Sequence, residues 1–389
     1  MHELRIAQLL AKHAADWTRD LRPFDVAPSH CAFHRGLVER VTFTLDALLR
    51  FRDYKPASVL LRALDLELPV EAVENLAPIL RDVADSPALR ALDALSVVGS
   101  LECDELRTLF GSPRIHLLRE LAIERPSDDL DEELPFGAVF SRLESLAVEA
   151  TAGALRRMVE SDRLPRLRRL SGGIITPDAN EDAWVPEWRT LFDSSGMRRV
   201  THLTLCHLAP EVPFILAAAR GLTGLTCLEL ELWQTDARSV GALVSAPWAS
   251  QLTALAIPRL ASDAAEILAQ SPSLSRLRWL ACSGPVASAG VVALAESPHL
   301  SMLRVLSLDV SGVDSAAATS IARSMRHVRS LRLVRSDVGS SGIEALLSMP
   351  NLARLELSRE EIVRCELGDR TSADRHVLGP RVIECTGER

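Results

Sequence analysis

Histidine, cysteine and carboxylate groups are the side chains with which this chain could do chemistry, and they gather in three places. His30, Cys31 and His34 lie close together, as do His202, Cys206 and His207, and Asp128, Asp129, Asp131, Glu132 and Glu133 form an acidic run. Imidazole and thiolate are zinc donors, so the first two groups invite a metal reading. On a strand, however, His202 and Cys206 share one face about 13 Å apart at roughly 3.3 Å per residue, too far to hold one ion. The acidic run lacks the alternating ligands and turn glycine of a calcium loop. No nucleotide-binding glycine loop, H-E-x-x-H or EF-hand pattern occurs. The residues therefore point away from an enzyme, and they imply no metal and no cofactor.

The elements that must position these groups are set by a short apolar phrase, L-x-x-L-x-L. Its clearest copies are Leu225/Leu228/Leu230, Leu303/Leu306/Leu308, Val328/Leu331/Leu333 and Leu352/Leu355/Leu357. Further copies start at Val38, Leu61, Leu92, Leu118, Leu143, Leu167, Val200, Leu252 and Leu277, so that from Leu61 onward the steps run between 24 and 33 residues. The second and third apolar positions are two apart and point to one face of a strand. The first precedes the strand and tucks under it. Between strands lie apolar residues at helical spacing, such as Val291, Val292 and Leu294, then Ile343, Leu346 and Leu347. Asp263 with Glu266, and Ser341 with Glu344, fit capping boxes for two of these helices. One unit buries too little alone, whereas stacked units pool their leucines into a continuous core.

The phrase and its period resemble the leucine-rich repeat. The resemblance implies an α/β solenoid shaped as a horseshoe, with parallel strands on the concave face and short helices on the convex face. The stretch Leu331 to Leu357, with Gly339 to Leu346 at the start of its helix, looks like the ribonuclease-inhibitor-like subclass. That subclass places Asn or Cys three residues past the third leucine, where this chain has Ser311, Ser336, Trp233, Leu260 and Pro285. The polar ladder of the turns is therefore expected to be weak and the turns less regular. Leu9 to Trp17 and Phe33 to Phe43 resemble the rear of the module that precedes repeats in the repeat-companion proteins of myxobacteria, over about the first 70 residues. The front of that module is missing: either translation starts further upstream or this member has lost it.

The organisation expected is an N-terminal helical cap segment over 1–35, a solenoid of about thirteen units over 36–358 and a C-terminal cap over 359–389, in which Val382-Ile383 forms a last short strand. Two units are stretched. One contains Thr176 to Trp188, with Trp184 and Trp188, and the other holds the acidic run. Both fit a surface loop, a partner-contacting loop fits as well, and the tryptophans fit equally a fold back over the core.

Composition narrows the function. A net charge of −8 with a pI near 5.8 argues against a protein built to bind phosphate backbones. Lysine occurs only at Lys12 and Lys55, with arginine elsewhere, a bias that reads as a G+C-rich bacterium. No apolar run approaches the roughly 18 residues of a membrane span, and Met1 to Asp20 lacks a signal-peptide core. Seven scattered cysteines without a C-x-x-C pair fit free thiols in a reducing, cytoplasmic setting.

The positions flanking the strand leucines face the concave side and form the candidate binding surface: His202, Glu229, Glu231, Trp279, Asp309, Arg332 and Arg354. A tryptophan rimmed by acids has the composition of an interface anchor, although a solvated face with one incidental tryptophan fits too. The function expected is a non-catalytic protein-binding scaffold, monomeric, with a protein partner for which the acidic part of the face suggests basic character. The alternatives are a GTPase-activator-like regulator, which the repeat subclass suggests, and a self-associating structural protein. Protein made in a reducing cytoplasm, unfolded and weighed without reductant after thiol blocking, should carry seven blocked cysteines. Two or more bridges would overturn the compartment.

Overall fold

A computed structural model describes residues 21, 31–34, 37–54, 61–69, 76–86, 89, 91–99, 101–113, 115–124, 140–173, 181–208, 211–232, 235–358 and 382–386. Backbone contacts divide the chain into two compact units, Met1–Val200 and Thr201–Arg389. In the first, β1 (Cys31–His34), β2 (Leu37–Thr44), β3 (Ala63–Glu67), β4 (Ala94–Val98), β5 (Glu120–Glu124), β6 (Ser145–Val148) and β7 (Arg169–Gly173) pair in chain order. In the second, β8 (His202–Leu208), β9 (Cys227–Leu232), β10 (Ala254–Ile257), β11 (Trp279–Gly284), β12 (Val305–Val310), β13 (Ser330–Val334), β14 (Arg354–Ser358) and β15 (Val382–Thr386) do the same. All these pairs are parallel except β1 with β2.

Each of the thirteen apolar phrases forms one strand of β2–β14, and the burial shows why. First-position residues Leu61, Val200, Leu225, Leu277, Leu303 and Val328 are fully buried, as are the strand leucines Leu203, Leu228, Leu280 and Leu331. Intervening positions stay half-exposed, as the alternation along Val305–Val310 shows. The register places like on like, with Leu228 beside Leu255, Leu255 beside Leu280, Leu280 beside Leu306 and Leu306 beside Leu331. Burying one such side chain contributes about 1.5–3 kcal/mol. Helices return the chain between strands, and in the second unit Ala237–Val244, Ser262–Gln270, Ser288–Glu296, Ser315–Ser324 and Gly339–Leu347 pack each on the next. The fold is a leucine-rich-repeat solenoid of α/β class.

Three local expectations need correction. The helix over Ser262–Gln270 is preceded by Ala261, which makes no side-chain cap, and Asp263 bonds only the amide of Ala264. Ser341 lies inside the helix Gly339–Leu347 rather than at its start. The caps sit instead at Thr151, Asp236 and Asp314, whose side chains accept from the amides of Ala154, Ser239 and Ala317. The Ser239 hydroxyl and then its amide hold the Asp236 carboxyl below the ordinary range, and the Ala317 amide does the same for Asp314, since each bond favours the ionised form. Capping-box spacing failed at Asp263 and Ser341 because the repeat fixes each helix start by its distance from the strand, whereas a box does form where the Glu102 amide donates to Glu105 Oε2 at 2.9 Å. The strand β1 was not legible either. It pairs antiparallel with β2 through a register shift at Ala32/Phe33 and covers an edge that would otherwise stand open.

The turn after the third apolar position demands a left-handed backbone in several units. Gly284 has φ +124°, and a Cβ there would lie 2.6 Å from the amide nitrogen of Leu260. Arg259 and Arg335 take φ +54° and +56° at the equivalent place, where a side chain costs roughly 1–2 kcal/mol. The expected weakness of the polar ladder is visible as well. Leu260 fills its rung with a buried apolar side chain, and the Ser336 hydroxyl is buried without a hydrogen-bond partner among the described residues.

Leu306 is 1% exposed between Leu280 and Leu331. Leu306→Asp places an unpaired carboxylate there at a cost of several kcal/mol. A thermal melt should show the second unit unfolded or strongly destabilised, and a melt matching the parent would refute the strand phase.

Candidate functional site on the strand face

The strand positions that alternate with the core leucines in the second unit form rows, because parallel pairing keeps equivalent residues side by side. One row runs His202, Cys227, Ala254, Trp279, Val305, Ser330 and Arg354. The next runs Thr204, Glu229, Ala256, Ala281, Ser307, Arg332 and Glu356. Trp279 is half-buried, and its nearest positions on the face are Ala254, Ala281 and Val305, with Ala256 and Ser307 diagonal to it. One large flat side chain thus stands among small ones.

The charged residues around it differ from one another in what they are free to do. Arg332 Nε donates to Glu356 Oε1 at 2.8 Å, and Arg354 lies 3.6 Å from Glu356 Oε2. Glu356 is only 7% exposed, so one sunken carboxylate holds both arginines. Asp309 is likewise engaged by Arg335, whose Nε reaches Asp309 Oδ1 and whose second nitrogen donates to the Asp309 carbonyl at 3.1 Å. The two arginines and the aspartate expected to greet a partner are therefore occupied within the chain. Charge-assisted pairs of this kind orient side chains firmly. Glu229 is half-buried and accepts from the Cys227 thiol at 3.8 Å, a weak contact, and among the described residues it has no ion pair. His202 is half-buried, with its Nδ1 against the Thr201 hydroxyl at 2.9 Å. The backbone of Glu231 belongs to β9, while its side chain lies outside the described residues.

The two loop candidates resolve differently. Residues 181–193 form a helix, Glu181–Asp193, and Trp188 is 1% exposed within it, its ring tilted 43° against that of Phe192 with centroids 5.1 Å apart. Trp188 is a core residue of the first unit and not a loop contact, because the helix turns it inward beside Leu191 and Phe192. The Trp184 backbone lies in the same helix and its side chain outside the described residues. The acidic run Asp128–Glu133, His30 and the side chains of His34 and His207 also fall outside them.

Among the described residues no group of three His, Cys, Asp or Glu is placed to hold a metal ion, and no helix is long and apolar enough to cross a membrane. Burial pushes the Cys31 and Cys282 thiols up to about 11 and about 12, far from the thiolate a nucleophile needs. Two residues of this face escaped sequence reasoning as organisers. Arg335 sits in a turn, where strand periodicity assigns it no face. Glu356 was legible as a face position, but not as the buried acid that two arginines share.

No family model matches the chain, and no curated protein matches it. Among solved structures, it is similar to a crystal structure of TLR13 in complex with ssRNA13, with 15% identity and a TM-score of 0.36, over 82% of this chain and 39% of that one. The chain thus spans well under half the length of that protein, and a likeness this slight carries no argument about function.

Glu356→Gln keeps the shape of the side chain and removes the charge that Arg332 and Arg354 share. Hydrogen bonds to charged groups contribute about 1.5–3 kcal/mol. A thermal melt should therefore fall by several degrees, and an unchanged melt would show that the trio does not anchor this end of the sheet.

Proposed function

We propose that this chain is a non-catalytic scaffold that binds a protein partner through the strand face of its second unit. The observation that carries the reading is Trp279, a half-buried indole among Ala254, Ala256, Ala281 and Ser307 on a regular sheet. An aromatic anchor beside small residues is where binding energy concentrates. Glu229, with Glu231 on the same strand, supplies an acidic flank, so a partner meeting that side carries a cation there. The self-paired trio of Arg332, Arg354 and Glu356 forms the opposite flank and acts in this reading as a rigid border.

The protein acts as a monomer in a reducing, cytoplasmic compartment, to which the unbridged cysteines Cys227 and Cys282 are suited. The solenoid over 36–358 does the binding, and most of the expected cap segments 1–35 and 359–389 lies outside the described residues. A GTPase-activator-like regulator would instead speed GTP hydrolysis by its partner, and a self-associating protein would scatter light increasingly with concentration.

Affinity capture followed by mass spectrometry identifies the partner, and the purified pair then tests the face. A buried tryptophan contact is worth about 2 kcal/mol or more, so Trp279→Ala should weaken binding at least roughly thirtyfold. The melt should barely change. Reversing Glu229 should slow association and reduce its salt sensitivity. Unchanged affinity of Trp279→Ala would remove the strand face as the site.

A further inference from the structure

One position of the repeat separates the two units by charge alone. It is the residue immediately after the first apolar position, at the edge where each strand begins. In the first unit it reads Glu39, Arg62, Asp93, Arg119, Glu144 and Arg168. Signs alternate, and neighbours pair: Arg62 with Glu39 at 3.7 Å and with Asp93 at 3.1 Å, Arg119 and Arg142 with Asp93 at 3.8 Å each. In the second unit it reads Thr201, Thr226, Thr253, Arg278, Arg304, Arg329 and Ala353. The threonines bond along the row, Thr253 Oγ1 to the Thr226 carbonyl and Thr226 Oγ1 to that of Thr201, each at 3.1 Å. The three arginines have no such compensation.

The backbone fixes those arginines in register, since Arg304 N donates to the Arg278 carbonyl and Arg329 N to that of Arg304, both at 2.8 Å. Neighbouring strands lie about 4.8 Å apart, and like charges directly opposite repel. Arg276 and Arg326, both exposed, broaden the row. No acid occurs in 271–278, 297–304, 324–329 or 348–353, the segments that build this edge. Among the described residues none of the five arginines forms an ion pair. Arg304 also donates to the His327 carbonyl at 3.3 Å, which draws its charge toward Arg326 and Arg329. On the same edge stands Met302, an exposed large apolar side chain.

We propose that this edge binds an acidic amphipathic helix of a partner protein, with its carboxylates on Arg278, Arg304 and Arg329 and an apolar side chain on Met302. The spacing fits: carboxylates three or four residues apart on a helix rise about 4.5–6 Å, against about 4.8 Å between arginines. Methionine suits such a contact because its thioether adapts to varied apolar shapes. A nucleic acid is the weaker match. It gives Met302 nothing to bury, and its continuous charge meets a chain of net −8. A short acidic segment instead senses chiefly the row beneath it, within a Debye length of about 8 Å. The inference stands apart from the Trp279 face, since neither needs the other.

The test uses the full chain and a fluorescent alanine-based peptide of about 15 residues, long enough to hold a helix. The peptide carries glutamates one turn apart beside a leucine stripe. It should bind at least tenfold more tightly than its glutamine twin and weaken as salt rises. Arg278→Gln, Arg304→Gln and Arg329→Gln together should cost at least tenfold, and Met302→Ser severalfold. Arg323→Gln, which removes an arginine on the neighbouring helix, should leave affinity unchanged. Equal binding of the twin peptides, an unaffected triple variant, or tighter binding of a single-stranded oligonucleotide of equal charge would each overturn the proposal. If the triple variant does not fold, a photo-reactive form of the peptide decides on the parent chain. Cross-links within 271–278, 297–304 or 324–329 support the edge, and cross-links elsewhere sink it.

Discussion

A leucine in this protein has nowhere to be buried except against the leucine one repeat away. The strands are four to eight residues long, and no single strand and helix pair can enclose its own apolar side chains. Burial becomes complete only when Leu280 lies between Leu255 and Leu306, and Leu306 between Leu280 and Leu331. Stability is then a sum of units and of interfaces between neighbours. The same dependence fixes the register, because a slip of one residue would turn every leucine of a strand to solvent.

Polar groups follow the leucines. Helix C-termini leave carbonyls without partners, and here the next repeat supplies many of the donors. Ser112 Oγ donates to the Ala84 carbonyl at 3.2 Å, Ser273 Oγ to that of Val244 at 2.6 Å, and Ser297 Oγ to that of Ala269. Trp248 Nε1 does the same for Leu216 at 3.0 Å, and in the turn after a helix Asn351 Nδ2 donates to the Arg326 carbonyl at 2.8 Å. Stacking thus satisfies hydrogen bonds and buries apolar surface in one step. A repeat pulled away from its neighbour loses both.

With backbone and leucines committed to the stack, only the strand face and the strand edges can vary without cost to the fold. The face holds Trp279 among small residues, and its charges fall into two classes. Arg332, Arg354 and Asp309 are answered within the chain, whereas Glu229 has no ion pair among the described residues. The edges show the same division, alternating and paired in the first unit, uniformly basic across three repeats in the second. Charges that the fold itself answers support the scaffold. Those it leaves unanswered are the ones available to a partner.

The strands and their inward residues were legible in the sequence, because a side-chain period of two is a local property of the backbone. Leu61, Leu225 and Leu352 could be assigned to the core from spacing alone, and all are buried. Helix starts were not legible at Asp263 and Ser341, since the strand-to-helix distance overrode the local capping signal. Trp188 could have been surface or core from its neighbours in sequence, and only the helix Glu181–Asp193 turned it against Phe192. The site divides in the same way. Sequence placed Asp309, Arg332 and Arg354 on one face, but did not show that Glu356 is shared by Arg354 beside it and by Arg332 one strand away, nor that Arg335 reaches Asp309 from a turn. Which charge meets which depends on distances across neighbouring strands, and those exist only once the repeats have stacked.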